Sequence, residues 1–178
     1  MSKKAQKNRT SFMNVPLWFC FFQMHLRFDG FLGFPGGFIE QNETIIDGVS
    51  REVQEEMAFN QSMLKLTIND FVCRTTIPYQ KSGTNFKRMN LFFFSKEISE
   101  DDFIQMEENS KKAEHFGSEI LGIIRVPVYF WREKGGFPTF LTNAFACTAK
   151  PQLLLALYKN GILTKEEIME SYKLLHQK

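Results

Sequence analysis

The stretch GGFIEQNETIIDGVSREVQEEMAF, residues 36–59, decides how the rest of the chain is read. Ile45, Ile46, Val49 and Val53 recur at helical intervals, which predicts a helix over 44–59 with one apolar face. The glycine-dense segment 30–37 ahead of it, with Pro35, reads as a loop. On the helix, Glu52, Glu55 and Glu56 are spaced three and four apart, so their carboxylates share a face. Three like charges repel there, and Arg51 is the only basic residue nearby. Carboxylates gathered beside a glycine-rich loop suit a hard divalent cation such as Mg²⁺, which takes oxygen ligands and shares its site with substrate phosphates. A solvated acidic helix face is the competing reading, since charge runs usually face water.

Working outward, the apolar and aromatic run 15–28 predicts a strand. Further strands are expected over 64–76, 88–96 and 121–127, with turns at 81–85 and 135–138. Ser99 stands as N-cap of a helix over 99–109. A helix over 149–160 carries Pro151 in its first turn and Gly161 just past its end. Thr164 caps a last helix, with Glu167 in the capping-box position. Strands and helices interleave without strict alternation. The expected fold class is therefore α/β (α+β), a mixed β-sheet sandwiched between helices.

The chain has 178 residues, 43% of them hydrophobic and 24% charged, which suits one globular domain rather than a disordered segment. We place that domain at 15–178, behind a tail at 1–14. Lys3, Lys4, Lys7 and Arg9 make the tail basic, and no acid precedes Asp29, although the net charge is only +2. The tail reads as a solvated terminus, with contact to RNA or an anionic membrane as the alternative. The apolar run 15–24 is too short to span a bilayer, which needs about 20 residues, and lacks a small-residue cleavage site. No membrane partner is expected. Cys20, Cys73 and Cys147 lie far apart, so free, buried thiols are expected. With three histidines and three cysteines and no ligand spacing, a zinc site is not expected.

The wider spacing of the first stretch is more specific than its charges. Five residues separate Gly37 from Glu43, seven more precede Arg51, and then come Glu52, Val53, Gln54, Glu55, Glu56, Met57, Ala58 and Phe59. This resembles the box of the Nudix hydrolases, Gly-x5-Glu-x7-Arg-Glu-U-x-Glu-Glu-x-Gly-U with U apolar. Only Ala58 departs, standing where the box has a glycine that ends the helix. The resemblance implies a Nudix fold. It implies that Glu52, Glu55 and Glu56 bind Mg²⁺ or Mn²⁺, that the Gly36 carbonyl adds a ligand at a close approach, and that Arg51 pairs with Glu43. The reaction it implies is attack of metal-activated water on a phosphorus of a diphosphate linkage.

The flanks narrow the resemblance. Gln23 to Gly30, Leu32 to Phe38, Gly122 to Pro127, Gly136 to Leu141, Asn143-Ala144-Phe145 and Ala149-Lys150 with Gln152 to Leu154 look like the small nucleolar RNA-decapping Nudix enzymes, over roughly 15–163. That branch also hydrolyses inosine and deoxyinosine diphosphates. Carried over, Arg27 and Phe34 would lie beside the nucleotide, Glu119 would be a downstream acid near the metals, and Asn143, Phe145 and Gln152 would border the purine. The bland alternatives are a surface ion pair of Arg27 with Asp29, core roles for Phe34 and Phe145, and a solvated Gln152. The partners implied are capped RNA and purine nucleoside diphosphates, with a homodimer allowed by the Phe-rich strands; lack of a signal favours cytoplasm or nucleus, and the RNA role favours nucleus and nucleolus. Two departures stand out. Only fourteen residues precede Val15, so the family's first strand is expected to be missing. Cys73-Arg74-Thr75-Thr76 also stands where the branch often has a Ser-His pair. Two alternatives remain open: an RNA-binding or protein-binding paralogue, and a generic nucleoside-triphosphate pyrophosphatase.

Overall fold

The structure is a computed structural model that describes residues 22–59, 64–80, 87–131 and 135–176. The tail 1–14, Cys20, the first part of the strand expected over 15–28 and the turn expected over 81–85 lie outside the described residues, as does the question of a missing first strand.

Strand β1 (Phe22–Arg27) is the centre of a three-stranded antiparallel sheet, between β2 (Leu32–Gly33) and β5 (Ile120–Val126). Met24 pairs with Ile124 and His25 with Ile123, and both Met24 and His25 are fully buried. Alternate residues of a strand point to opposite faces, so both faces of this sheet are covered. Met24 joins Val126, Phe137, Leu153 and Leu157 in the larger core cluster. That cluster is built from α3 (Phe137–Phe140) and α4 (Ala149–Lys159), with Ile168 of α5 (Lys165–His176) packed against it. On the other face, Ile123 packs against Val53 and Met57 of α1 (Ile45–Met57) and Met106 of α2 (Glu100–Asn109). A sheet between helical layers is the architecture expected. Its pairing is more uniform than expected, because every strand pair among the described residues is antiparallel. Parallel contact occurs only as isolated bridges, Leu32 to Phe145 and Phe116 to Ile120.

Strands β3 (Phe71–Tyr79) and β4 (Lys87–Phe94) form a separate antiparallel pair. Val72 and Phe93 fasten it to Ala156 of α4, and Lys159 Nζ donates to the Val72 carbonyl at 2.6 Å. β3 starts later than expected. Asp70 accepts from the Thr67 N–H at 2.7 Å and the Thr67 hydroxyl at 2.9 Å, which winds Ile68–Asp70 into a 3₁₀ turn instead. The short β6 (Phe130–Trp131) and β7 (Gly135–Gly136) pair with each other in place of the turn expected over 135–138.

The helix ends follow their caps. Thr44 accepts from the Asp47 N–H, Ser99 from the Asp102 N–H, and Thr164 exchanges bonds with Glu167. Among the described residues, no helix is long and apolar enough to cross a membrane. The thiols correct one expectation: Cys73 is half-buried and Cys147 is exposed, because Cys147 sits on the turn entering α4 with φ +43 rather than in the core.

Candidate active site

Arg51 organises the site. Its Nε donates to Glu43 Oε1 at 3.0 Å, and Nη1 donates to Glu52 Oε1 at 2.8 Å and Glu55 Oε2 at 2.9 Å. Nη2 donates to the Phe38 carbonyl at 2.9 Å. One guanidinium thus ties the loop after Gly37 to the helix carrying the acids. The rigid donor fork of arginine suits several carboxylates at once, which a lysine could not match. Hydrogen bonds from Arg51 and from the Glu40 N–H hold the Glu43 carboxyl below the ordinary range. Arg51 in turn is held well above its ordinary value, first by Glu43 and then by Glu52.

The two glycines divide the loop's work differently from the expectation. Gly36 was expected to be a close-approach site, but a Cβ there would meet nothing within 4 Å; its φ of +152° is what calls for glycine. The close approach is at Gly37, where a Cβ would lie 2.7 Å from the Glu52 carboxyl carbon. Glu52 is thereby seated beneath the loop. Burial pushes its carboxyl above the ordinary range against the pull of Arg51, and Glu56 and Glu55 add to the rise. Glu52, Gly36 and Gly37 all line a cleft of about 1080 Å³ between the β4–α2 segment and the start of α4.

Glu56 points elsewhere. It is only 3% exposed, and its Oε2 lies 3.2 Å from Nδ1 of His25, itself fully buried on β1. Glu56 also gathers with His115 and Glu119, their ligating atoms all within 4.8 Å of one another. The turn carrying those two residues is tied to the helix, since the His115 N–H donates to the Glu55 carbonyl at 3.1 Å.

These residues fit a divalent cation on two counts. Glu56 Oε2 and His115 Nδ1 are sealed from solvent without an aligned hydrogen bond. Glu55 and Glu56 also occupy the last turn of α1, which holds no basic residue. There the negative end of the helix dipole disfavours each anion by about 0.3–1 kcal/mol. A bound cation would remove both penalties.

The structure brings only some of the expected contacts together. Arg27, Phe34 and Gln152 line the cleft. Arg27 also forms the ion pair with Asp29, at 3.1 Å, and Phe34 packs on Phe93 with ring centroids 4.7 Å apart. Asn143 and Phe145 are not among the cleft-lining residues. Asn143 Nδ2 folds back to donate to the Phe140 carbonyl at 2.8 Å, and Phe145 packs edge-on against Phe140. Sequence reasoning missed His25 and His115. The available signal for His25 was its place in the Gln23 to Gly30 stretch that carries the resemblance.

With this geometry in place, the likeness to known proteins is specific. A family model described as Nudt16-like, U8 snoRNA-decapping enzyme-like, matches residues 4–163. The chain belongs to this family. The match begins inside the segment read as a basic tail. The U8 snoRNA-decapping enzyme of Mus musculus is 34% identical over 175 residues, covering 94% of this chain and 85% of that one. That of Xenopus laevis is 34% identical over 157 residues, covering 86% and 71%. The Tudor-interacting repair regulator protein of Homo sapiens is 32% identical over 162 residues, covering 90% and 72%. The chain is a Nudix hydrolase.

Proposed function

We propose that this chain removes the 5′ cap from RNA by hydrolysing its diphosphate linkage, and that it converts inosine and deoxyinosine diphosphates to monophosphates, using Mg²⁺ or Mn²⁺. The observation that carries the reading is the Arg51 cluster: three carboxylates, Glu43, Glu52 and Glu55, bonded to one guanidinium, with Glu52 seated under Gly37 at a cleft large enough for a nucleotide. Relatives over most of the chain are named as decapping enzymes.

Glu52, Glu55, Glu56, Glu119 and the Gly36 carbonyl would hold the metal. When bound, it lowers the pKa of a water and offsets charge on the phosphoryl oxygens. Arg51 keeps the carboxylates in place between turnovers. Arg27 offers a cation to a phosphate at the cleft, Phe34 a ring face to a base, and Gln152 an amide to its edge. The domain assigned to this chemistry is 15–178, and an RNA substrate of this class favours the nucleus and nucleolus, with the cytoplasm as the alternative.

A binding role without turnover is the second reading, favoured by the relative named for a Tudor interaction. The test is hydrolysis of 7-methylguanosine-capped RNA and inosine diphosphate with Mg²⁺, Mn²⁺ or EDTA, on the parent and Glu56→Gln. Metal-dependent turnover that falls at least about 100-fold in Glu56→Gln supports catalysis, since even an outer-shell loss costs about 10–100-fold. No turnover from folded parent protein leaves the binding role. Equal activity of the two proteins refutes the metal assignment.

A further inference from the structure

The Glu56 end of the site differs chemically from the Glu52 end, and the difference lies in His115. Everything at the Glu52 end is oxygen. At the Glu56 end, an imidazole nitrogen joins two carboxylates within 4.8 Å. At bonds of about 2.1–2.3 Å, neighbouring octahedral ligands lie about 3.0–3.3 Å apart and opposite ones about 4.2–4.6 Å; His115 Nδ1 stands 4.0 Å from Glu119 Oε1, so an ion between them needs a small side-chain adjustment.

The turn presenting His115 and Glu119 is a built structure. The His115 carbonyl accepts from the N–H groups of Glu119 at 3.0 Å and Ile120 at 3.2 Å, and from the Ser118 hydroxyl at 3.1 Å. The Glu119 carbonyl accepts from the Phe28 N–H at 2.9 Å, which joins the turn to the end of β1. The Glu119 side chain itself is 58% exposed, so an ion has an entry path from solvent.

Two buried atoms of this cluster, like both ring nitrogens of His25 beside it, have nothing aligned to bond. Glu56 is 97% withdrawn from solvent, and its Oε2 accepts no aligned hydrogen bond even with His25 Nδ1 at 3.2 Å. His115 Nδ1 is likewise without a partner. Buried polar groups are almost always satisfied, so each orphan wants an explanation. A cation among them explains both.

Resting on the hydrolase reading, we infer that Glu56, His115 and Glu119 form a mixed nitrogen–oxygen metal site, with His115 as a direct ligand, which selects Mn²⁺ over Mg²⁺. Neutral imidazole is a softer donor than carboxylate or water and suits first-row transition ions, whereas Mg²⁺ keeps oxygen ligands. The Glu56 end of the site therefore sets the metal preference, separately from the carboxylates that Arg51 holds.

The experiment is Mn²⁺ binding to the whole chain followed by electron paramagnetic resonance, with competition by Mg²⁺, on the parent, His115→Ala and His115→Gln. The parent should bind Mn²⁺ at least about 10-fold tighter than Mg²⁺ and show electron spin-echo modulation from a directly bound nitrogen. Substituting ¹⁵N-histidine should change that modulation, a result that needs no variant to fold. Both variants should lose the modulation and weaken Mn²⁺ binding about 10–100-fold, with Mg²⁺ affinity changed less than about 3-fold. Parent protein that binds no Mn²⁺, or binds it without nitrogen modulation, overturns the inference. So does modulation or Mn²⁺ affinity that survives unchanged in a folded variant. Turnover assayed with Mg²⁺ separates the two claims: turnover without nitrogen modulation refutes the His115 ligand alone, and nitrogen modulation without any turnover refutes the hydrolase reading alone.

Discussion

Ala58 is the one position where the chain departs from the Nudix box, and it lies in the left-handed region, φ +51° and ψ +34°, at the C-cap of α1. Its N–H donates to the Gln54 carbonyl at 2.9 Å, so the cap hydrogen bond forms in spite of the side chain. An L-residue in this conformation costs about 1–2 kcal/mol, because Cβ crowds the following carbonyl oxygen. Glycine removes that clash and gives back about 0.4–1 kcal/mol through its freer unfolded chain. Ala58→Gly should therefore stabilise the protein by about 0.5–1 kcal/mol. For a chain of 178 residues, that raises Tm by about 1–4 °C, at about 2–4 °C per kcal/mol. The cap follows Glu55 and Glu56 but bonds only backbone, so kcat/KM should stay within about twofold. Thermal melts monitored by circular dichroism, run beside a hydrolysis assay on the same samples, read both quantities. An unchanged or lowered Tm refutes the strain assigned to Ala58. A raised Tm with a tenfold loss of kcat/KM refutes the separation of the cap from the chemistry.

Two further predictions follow from single contacts. Gly37→Ala places a methyl group 2.7 Å from the Glu52 carboxyl carbon; the side-chain end can swing away, so Tm should hold while turnover drops about 10²-fold, the cost of a displacement of about 1 Å at a reacting site, and turnover equal to the parent's removes Glu52 from the site. Asp70→Ala should cost about 1–2 kcal/mol in urea unfolding at pH 7. Burial raises the Asp70 pKa, but bonds from Thr67 and Lys96 outweigh it and set the folded value below 3.8. Stability from Asp70 is thus complete above its unfolded pKa and is lost as pH falls through the folded one, so a gap between variant and parent that stays constant down to pH 2.5 refutes the assignment.

What the sequence revealed was local. The caps at Ser99 and Thr164 involve partners three residues away, and both place helix starts correctly. The Arg51–Glu43 pair, implied by the resemblance to the Nudix box, joins one loop to one helix, and it forms. Features that depend on distant pairing were hidden. β2 is two residues long and exists because His25 and Leu26 pair with Gly33 and Leu32. The segment 64–70 has strand-like composition, yet the Thr67–Asp70 box takes its backbone into a turn. His25 and His115 acquire meaning only when β1 and the turn before β5 meet the end of α1. Asn143 shows the reverse case, a motif residue whose amide the local chain engages, on the Phe140 carbonyl.

The charge balance of the site is the last constraint. Arg51 bonds three carboxylates, Glu43, Glu52 and Glu55, with a single positive charge. Glu56 and Glu119 add two more acids at the other end, beside His115. Five carboxylates and one guanidinium leave the assembly strongly negative when ionised, on a helix end that already disfavours anions. The raised pKa of Glu52 is one symptom, since burial and its acidic neighbours both oppose its charge. One divalent cation halves the excess and two would cancel it. The arrangement of the residues matches that arithmetic. Arg51 keeps Glu52 and Glu55 at the cleft, while the orphaned atoms of Glu56 and His115 mark a second place where a cation would bond. On this argument, removing divalent metal should destabilise the parent protein more at pH 8 than at pH 4, because the carboxylates repel only when ionised. The Tm difference between Mn²⁺-loaded and EDTA-treated protein measures this, and a difference that is the same at both pH values refutes it.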